Sequence, residues 1–221
     1  MDLILVLIII LVPAIAQIKV SSNYNCYKKI NNSNNMTGKD VARKILDNNG
    51  LEEVEIEEVG GNLTDHYDSE DKVVRLSSDI YNGTSIASTA VAAHECGHAI
   101  QDKEGYSFLR FRSMIFPIVN VATSISYWII FIGFLLELIN MVYVGIFLTS
   151  FGLFFQVITL PVEFDASKRA ENILNEYDIV KTNENEGIKM MLNSAAMTYV
   201  AGVLSSSVQI LRLLLITNRR D

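Results

Sequence analysis

Ala92-Ala93-His94-Glu95-Cys96-Gly97-His98-Ala99 is the stretch from which the rest of the chain is read. On a helix, residues four apart share a face, so His94 and His98 project together one turn apart, with Glu95 beside them. Two imidazoles at this spacing are two of the three protein ligands of a catalytic zinc, and the carboxylate is a base able to take a proton from a water. With three His and 14 Glu among 221 residues, a chance match to this template is expected roughly 0.0025 times. Two histidines that merely cap or pack a helix are therefore the weaker explanation. Thr84 or Ser85 can open the helix, small and apolar residues (Ile86, Ala90, Val91, Ala93) can pack inward, and Gly105 can close it.

Around this motif the composition is divided. Half the residues are hydrophobic, yet 19% are charged, the balance of a protein split between membrane and water. Met114 to Leu136 and Leu138 to Val162 contain no charged residue, and each exceeds the ~20 apolar residues that cross a bilayer core. Asn120, Pro117, Asn140 and Gln156 interrupt them without preventing a span, and Glu137 marks a tight turn between them. Leu3 to Ile18, extended by Val20, is a third apolar stretch, an anchor or a signal peptide. Ala14-Ile15-Ala16 has the small-x-small pattern of a cleavage site, but Asp2 stands where a signal peptide carries positive charge, which favours a retained anchor. Ser194 to Ile216 is a fourth candidate span, with Arg212 inside it.

The polar residues between the first two spans read as a small α+β unit. Asn23 to Asn35 is an Asn-rich linker. Thr37 and Asp40 then open an amphipathic helix with Val41, Ile45 and Leu46 on one face, stopped at Asn49-Gly50. Val54 and Ile56 alternate with glutamates as in a half-buried strand, and Lys72 to Leu76 is a second strand after a Gly- and Asp-rich loop. The expected fold class is a mostly α integral membrane protein, with about four transmembrane helices and a small α+β zincin-like peptidase domain. Its expected organisation is an N-terminal anchor (1–20), a cytosolic α+β peptidase segment with the motif helix (21–112), two transmembrane helices (113–162), a cytosolic segment (163–193) and a C-terminal transmembrane helix (194–217).

The net charge of −7, and no basic cluster longer than Arg219-Arg220, exclude nucleic acid as an expected partner. Two cysteines, Cys26 and Cys96, the second inside the motif, indicate no disulfide framework. Asn-x-Ser/Thr triplets at Asn31, Asn35, Asn62 and Asn82 carry no weight in so Asn-rich a chain.

A catalytic zinc takes three protein ligands and leaves a fourth position for water. Glu163 is the best candidate for the third, because Pro161 can start a helix with Glu163 in its first turn. The alternative is a solvated carboxylate favoured by a helix N-terminus. Two intervening spans return Glu163 to the side of the membrane that holds the His pair. Lys19, Lys28, Lys29, Arg110, Arg112, Lys168 and Arg169 all fall on that side and none near Glu137, which makes it cytoplasmic by the positive-inside rule, with the N-terminus outside.

These features together resemble the membrane neutral zinc metallopeptidases of the YugP family, found in bacteria. The resemblance covers nearly the whole chain: the anchor, Leu63-Thr64-Asp65-His66-Tyr67-Asp68, Val74-Arg75-Leu76-Ser77, the Ala92 to Ala99 helix, the paired spans, Pro161-Val162-Glu163-Phe164-Asp165-Ala166-Ser167 and Tyr199-Val200-Ala201. More distantly the chain looks like the prenyl-protein and heat-shock membrane peptidases, which use a Glu as third ligand. That likeness implies one Zn2+ per chain held by His94, His98 and Glu163, with Glu95 as base, in a multi-pass protein of the bacterial cytoplasmic membrane. Those relatives place an Asp four residues beyond the ligand Glu to hold a ligand histidine; here that position is Ser167, and the acid is Asp165, whose two-residue offset points elsewhere on a regular helix.

The expected reaction is peptide-bond hydrolysis by a zinc-activated water at the cytoplasmic membrane face, with peptides or proteins, membrane proteins among them, as substrates. The strand Lys72 to Leu76 would pair with the substrate backbone. Asp102, four residues past His98, is a candidate acceptor for an imidazole N–H. His66 and Tyr199 are candidate oxyanion donors, each with a plainer reading as a turn residue and a packing residue. Cys96 has no basic partner free of the metal and reads as a packing residue rather than a nucleophile. The competing function is a non-catalytic zinc-binding membrane adaptor or assembly factor, whose structural site would recruit a fourth protein ligand such as His66 or Cys96.

Overall fold

The structure, a computed structural model, describes residues 2–218. It is mostly helical, with one small sheet, and divides into two compact units that the chain enters and leaves repeatedly. The first holds the residues up to Gln17, Ser107–Pro161 and those from Met197 on. The second holds Ile18–Tyr106 and Val162–Ala196.

Among the described residues, four helices are long and apolar enough to cross a membrane: α1 (Asp2–Tyr27), α5 (Ser107–Leu135), α6 (Ile139–Glu176) and α7 (Asn185–Thr217). In the first unit they carry large apolar side chains outward, Leu3, Trp128 and Leu135 each being more than two-thirds exposed. This inverted pattern suits hydrocarbon rather than water. α5 and α6 form a hairpin whose turn puts Glu137 at φ 58° and closes with Leu138 N–H donating to the Gly133 carbonyl at 2.8 Å. Gly145 lets the helices approach, since a Cβ there would lie 2.4 Å from Ile130 Cγ1. α1 and α7 run antiparallel: Asp2 takes hydrogen bonds from Arg212, at 2.8 and 3.3 Å, and Ser205 Oγ donates to the Ile9 carbonyl at 2.9 Å. Arg212, the one basic residue in the fourth apolar stretch, thus has a carboxylate partner on the neighbouring helix.

The second unit is built from α2 (Gly38–Asn48), β1 (Glu55–Val59), β2 (His66–Asp68), β3 (Val73–Ser77), the short α3 (Ser78–Tyr81) and α4 (Ile86–Lys103), with the adjoining ends of α1, α6 and α7. Thr37 and Asp40 form a reciprocal capping box that starts α2, and Gly50, at φ 62°, follows its end. Ser85 caps α4 by accepting from Ser88 N–H at 3.1 Å. Val41, Ile45 and Leu46 of α2, Val74 and Leu76 of β3, and Ala93 and Cys96 of α4 share one core with Ala170 and Leu174 of α6, all fully buried. The Ala-rich face of α4 allows this close packing on three sides.

Three local expectations are corrected. The segment from Asn23 is not linker to Asn35, because α1 continues through Tyr27 and buries Tyr24. Pro161 does not start a helix; it lies inside the 38-residue α6, where it withholds only one backbone donor from the preceding turn. The strand at Lys72 to Leu76 is the central one of the order β1-β3-β2, parallel to β1 and antiparallel to β2. Both of its edges are hydrogen-bonded, so it offers no free edge to a peptide.

Candidate metal centre

α4 presents its small-residue face to α6, and Gly97 sets the distance. A Cβ at Gly97 would lie 2.7 Å from the Ala166 carbonyl oxygen and 3.2 Å from its Cα. With only hydrogen there, the turn of α4 carrying His94 and His98 comes directly against the turn of α6 carrying Glu163. Glu163 Oε2 lies 3.4 Å from His94 Nε2 and 3.7 Å from His98 Nε2. These gaps are long for hydrogen bonds, whereas ligand atoms 2.0–2.2 Å from a tetrahedral zinc are themselves about 3.4 Å apart. His94, His98 and Glu163 form the one cluster of this kind among the described residues, with ligand atoms within 4.8 Å of one another. The donor set, two neutral nitrogens and one carboxylate oxygen, fits Zn2+ with a position left open.

The surroundings orient both imidazoles of the cluster. Gln101, fully buried one turn beyond His98, meets His98 Nδ1 with Oε1 at 3.0 Å. Its Nε2 donates to the Val162 carbonyl and to Asp165 Oδ2, both at 2.8 Å. Two acceptors on the NH2 side fix the amide, so its oxygen must face His98. Nδ1 then carries the ring proton and Nε2 is bare, as a metal ligand requires. Asp165 is anchored in turn by Arg169 Nε at 2.5 Å, and Arg169 also pairs with Glu104. Ser167 Oγ lies 3.3 Å from His94 Nδ1, four residues along α6 from Glu163. Burial pulls the His98 pKa down, but the adjacent Glu163 and Glu95 carboxylates raise it more, and the net shift is upward.

Glu95 is buried beside the cluster, and its Oε2 accepts from the backbone N–H of Tyr67 on β2 at 3.0 Å. The carboxylate is thereby tied to the edge strand of the sheet. Asp102 does not reach an imidazole. It accepts from the Tyr67 hydroxyl at 2.8 Å and pairs with Lys72, while the position three past His98, not four, faces the ring. Burial and Asp102 push the Tyr67 phenol pKa well up, so the hydroxyl remains a donor. Asp165 touches Gln101 rather than either imidazole. His66 is exposed on β2, its Nδ1 2.8 Å from the Thr64 carbonyl, and Tyr199 lies on α7 in the first unit. Cys96 is fully buried, directed at the Ala42 carbonyl, with its pKa raised by burial. Neither His66 nor Cys96 joins the cluster.

The sequence pattern of the family described as "Putative neutral zinc metallopeptidase" matches residues 2–218. The chain belongs to this family. It is also 47% identical over 207 residues to a protein of Bacillus subtilis (strain 168) called "Putative membrane protease YugP", covering 93% of this chain and 92% of that protein. No solved structure matches it. The zinc in the family's description and the membrane in the relative's name agree with a three-ligand cluster in one unit and four apolar helices in a chain of this neutral zinc metallopeptidase family.

Proposed function

We propose that the protein is a zincin-like zinc endopeptidase of the bacterial cytoplasmic membrane, with its active site on the cytoplasmic side. The observation that carries this reading is the cluster itself: three side chains of the right chemistry, no fourth protein ligand among the described residues, and a carboxylate one residue from the first histidine. A structural site of the adaptor reading would have closed the fourth position with His66 or Cys96. The positive charges near the ends of α1, α5 and α6 support the cytoplasmic assignment.

His94, His98 and Glu163 would hold one Zn2+. When bound, the ion supplies Lewis acidity, polarising a carbonyl and acidifying a water towards pKa about 7. Glu95 takes the proton of the attacking water on its carboxylate and delivers it to the leaving amine, while the Tyr67 N–H bond holds one oxygen in place. Gln101 and Ser167 keep the imidazoles oriented. The substrate-pairing role passes from Lys72–Leu76 to β2. Being the edge strand next to Glu95, it can add an extended segment beside the base. Glu95→Gln tests this reading in detergent-purified protein with casein as probe. The variant should keep its zinc and lose hydrolysis by about 10²–10⁴-fold; unchanged hydrolysis refutes the role of Glu95, and no hydrolysis by native zinc-loaded protein favours the adaptor.

A further inference from the structure

Two residues beside the candidate metal centre stand where local rules disfavour them. Asp102 lies in the last turn of α4, the end at which the helix dipole opposes a negative charge. Lys72, in the turn before β3, has φ 57°, in the left-handed region usually left to glycine or asparagine. The two side chains meet in an ion pair, and the same Asp102 Oδ2 accepts from the Tyr67 hydroxyl at 2.8 Å. Unfavourable local choices that converge on one contact point to a role for the contact itself.

That role lies in what the other end of Tyr67 does. β2 is an edge strand of three residues, paired along one side only, and so short a strand has little hold of its own. Asp68 ties it to Arg75 of β3, which leaves its height on α4 unset. Tyr67, the middle residue, gives its N–H to Glu95 Oε2 at 3.0 Å and its O–H to Asp102, so one residue meets α4 at two points seven residues apart. Seven residues are just under two turns, ~10.5 Å along the axis, which brings both carboxylates to one face. Two bonds that far apart fix both the height and the tilt of the strand, whereas the N–H bond alone would let it pivot. Lys72, at the start of β3, holds Asp102 from the sheet side. We propose that Lys72, Asp102 and the Tyr67 hydroxyl are positioning residues that clamp β2 on α4 and so hold the Glu95 carboxylate, through the Tyr67 N–H, in one orientation. The consequence for hydrolysis rests on the peptidase reading; the clamp itself does not.

The test follows hydrogen–deuterium exchange of the Tyr67 amide, resolved to single residues by mass spectrometry, in metal-free full-length protein in lipid nanodiscs. Tyr67→Phe and Asp102→Ala should each speed exchange about fivefold or more, and the double variant no further, because both cut the same link. Asp102→Asn, which still accepts from the hydroxyl, should retain most of the protection. Asp102→Ala also removes the conflict with the dipole and favours the helix, so its unfolding temperature should not fall; faster exchange at Tyr67 then reports lost positioning rather than general loosening. Loaded with zinc, Tyr67→Phe and Asp102→Ala should keep the native metal content and hydrolyse casein about tenfold more slowly. Exchange within about twofold of native in both variants, or fast exchange with undiminished hydrolysis, overturns the proposal. If native zinc-loaded protein hydrolyses no casein, the peptidase reading fails and the exchange rates alone decide the clamp.

Discussion

Gln101→Leu should weaken zinc binding without unfolding the protein, and the structure sets the size of the effect. Leucine fills nearly the volume of the buried glutamine but accepts no hydrogen bond. Of the groups Gln101 touches, Asp165 keeps Arg169, and the Val162 carbonyl lies in the continuous helix α6 with its own helical donor. His98 Nδ1 alone loses its partner. A buried donor left unsatisfied costs about 1–3 kcal/mol, or about 5- to 150-fold, the range in which loss of such an outer partner lowers metal affinity, about 10–100-fold. Competition against a chromophoric chelator measures the affinity, and the visible spectrum of the Co2+ form reports ligand geometry independently. Asp165→Asn, which keeps an acceptor for Gln101, should have the smaller effect. An affinity for Gln101→Leu within twofold of native, with an unaltered Co2+ spectrum, would refute the argument that this amide sets the His98 tautomer.

Further outcomes follow from contacts already described. Gly97→Ala should destabilise the second unit by about 1–3 kcal/mol through forced separation of α4 from α6, and should lower zinc content with it; thermal unfolding and metal analysis report both. Asp102→Asn should leave zinc affinity within about twofold, because Asp102 serves Tyr67 and Lys72 rather than an imidazole; the chelator competition used for Gln101 decides it. In the folded protein, iodoacetamide should label Cys26, which is exposed, and spare Cys96, which is fully buried with its thiol pKa raised, as mass spectrometry of the digest would show.

What the sequence disclosed followed from periodicity. His94 and His98 share a face because helices repeat every 3.6 residues, and the four apolar stretches are visible because a bilayer demands length and composition alone. Glu163 is within reach because two apolar stretches of spanning length separate it from the His pair. The partners of the imidazoles are not. Residues three and four past His98 both lie on its face, and only the position of α6 decides that Gln101 turns to the ring while Asp102 turns to β2. Ser167 and Asp165 are similar. Sequence shows which carries charge, but the packing of α4 on α6 through Gly97 determines which touches His94 and which touches Gln101. The sequence marks Lys72 to Leu76 as a strand but not as the central one, because strand order is tertiary. Pro161 starts no helix because the apolar run and the polar run after it are one helix, and proline in a long helix need not end it.

The central claim is that three side chains from two helices hold one zinc. Zinc content per chain, measured on detergent-purified protein for the native sequence and for Glu163→Ala, tests it most directly. The account predicts about one zinc in the native protein and little in the variant. Zinc retained by Glu163→Ala, or absent from the native protein, would contradict it.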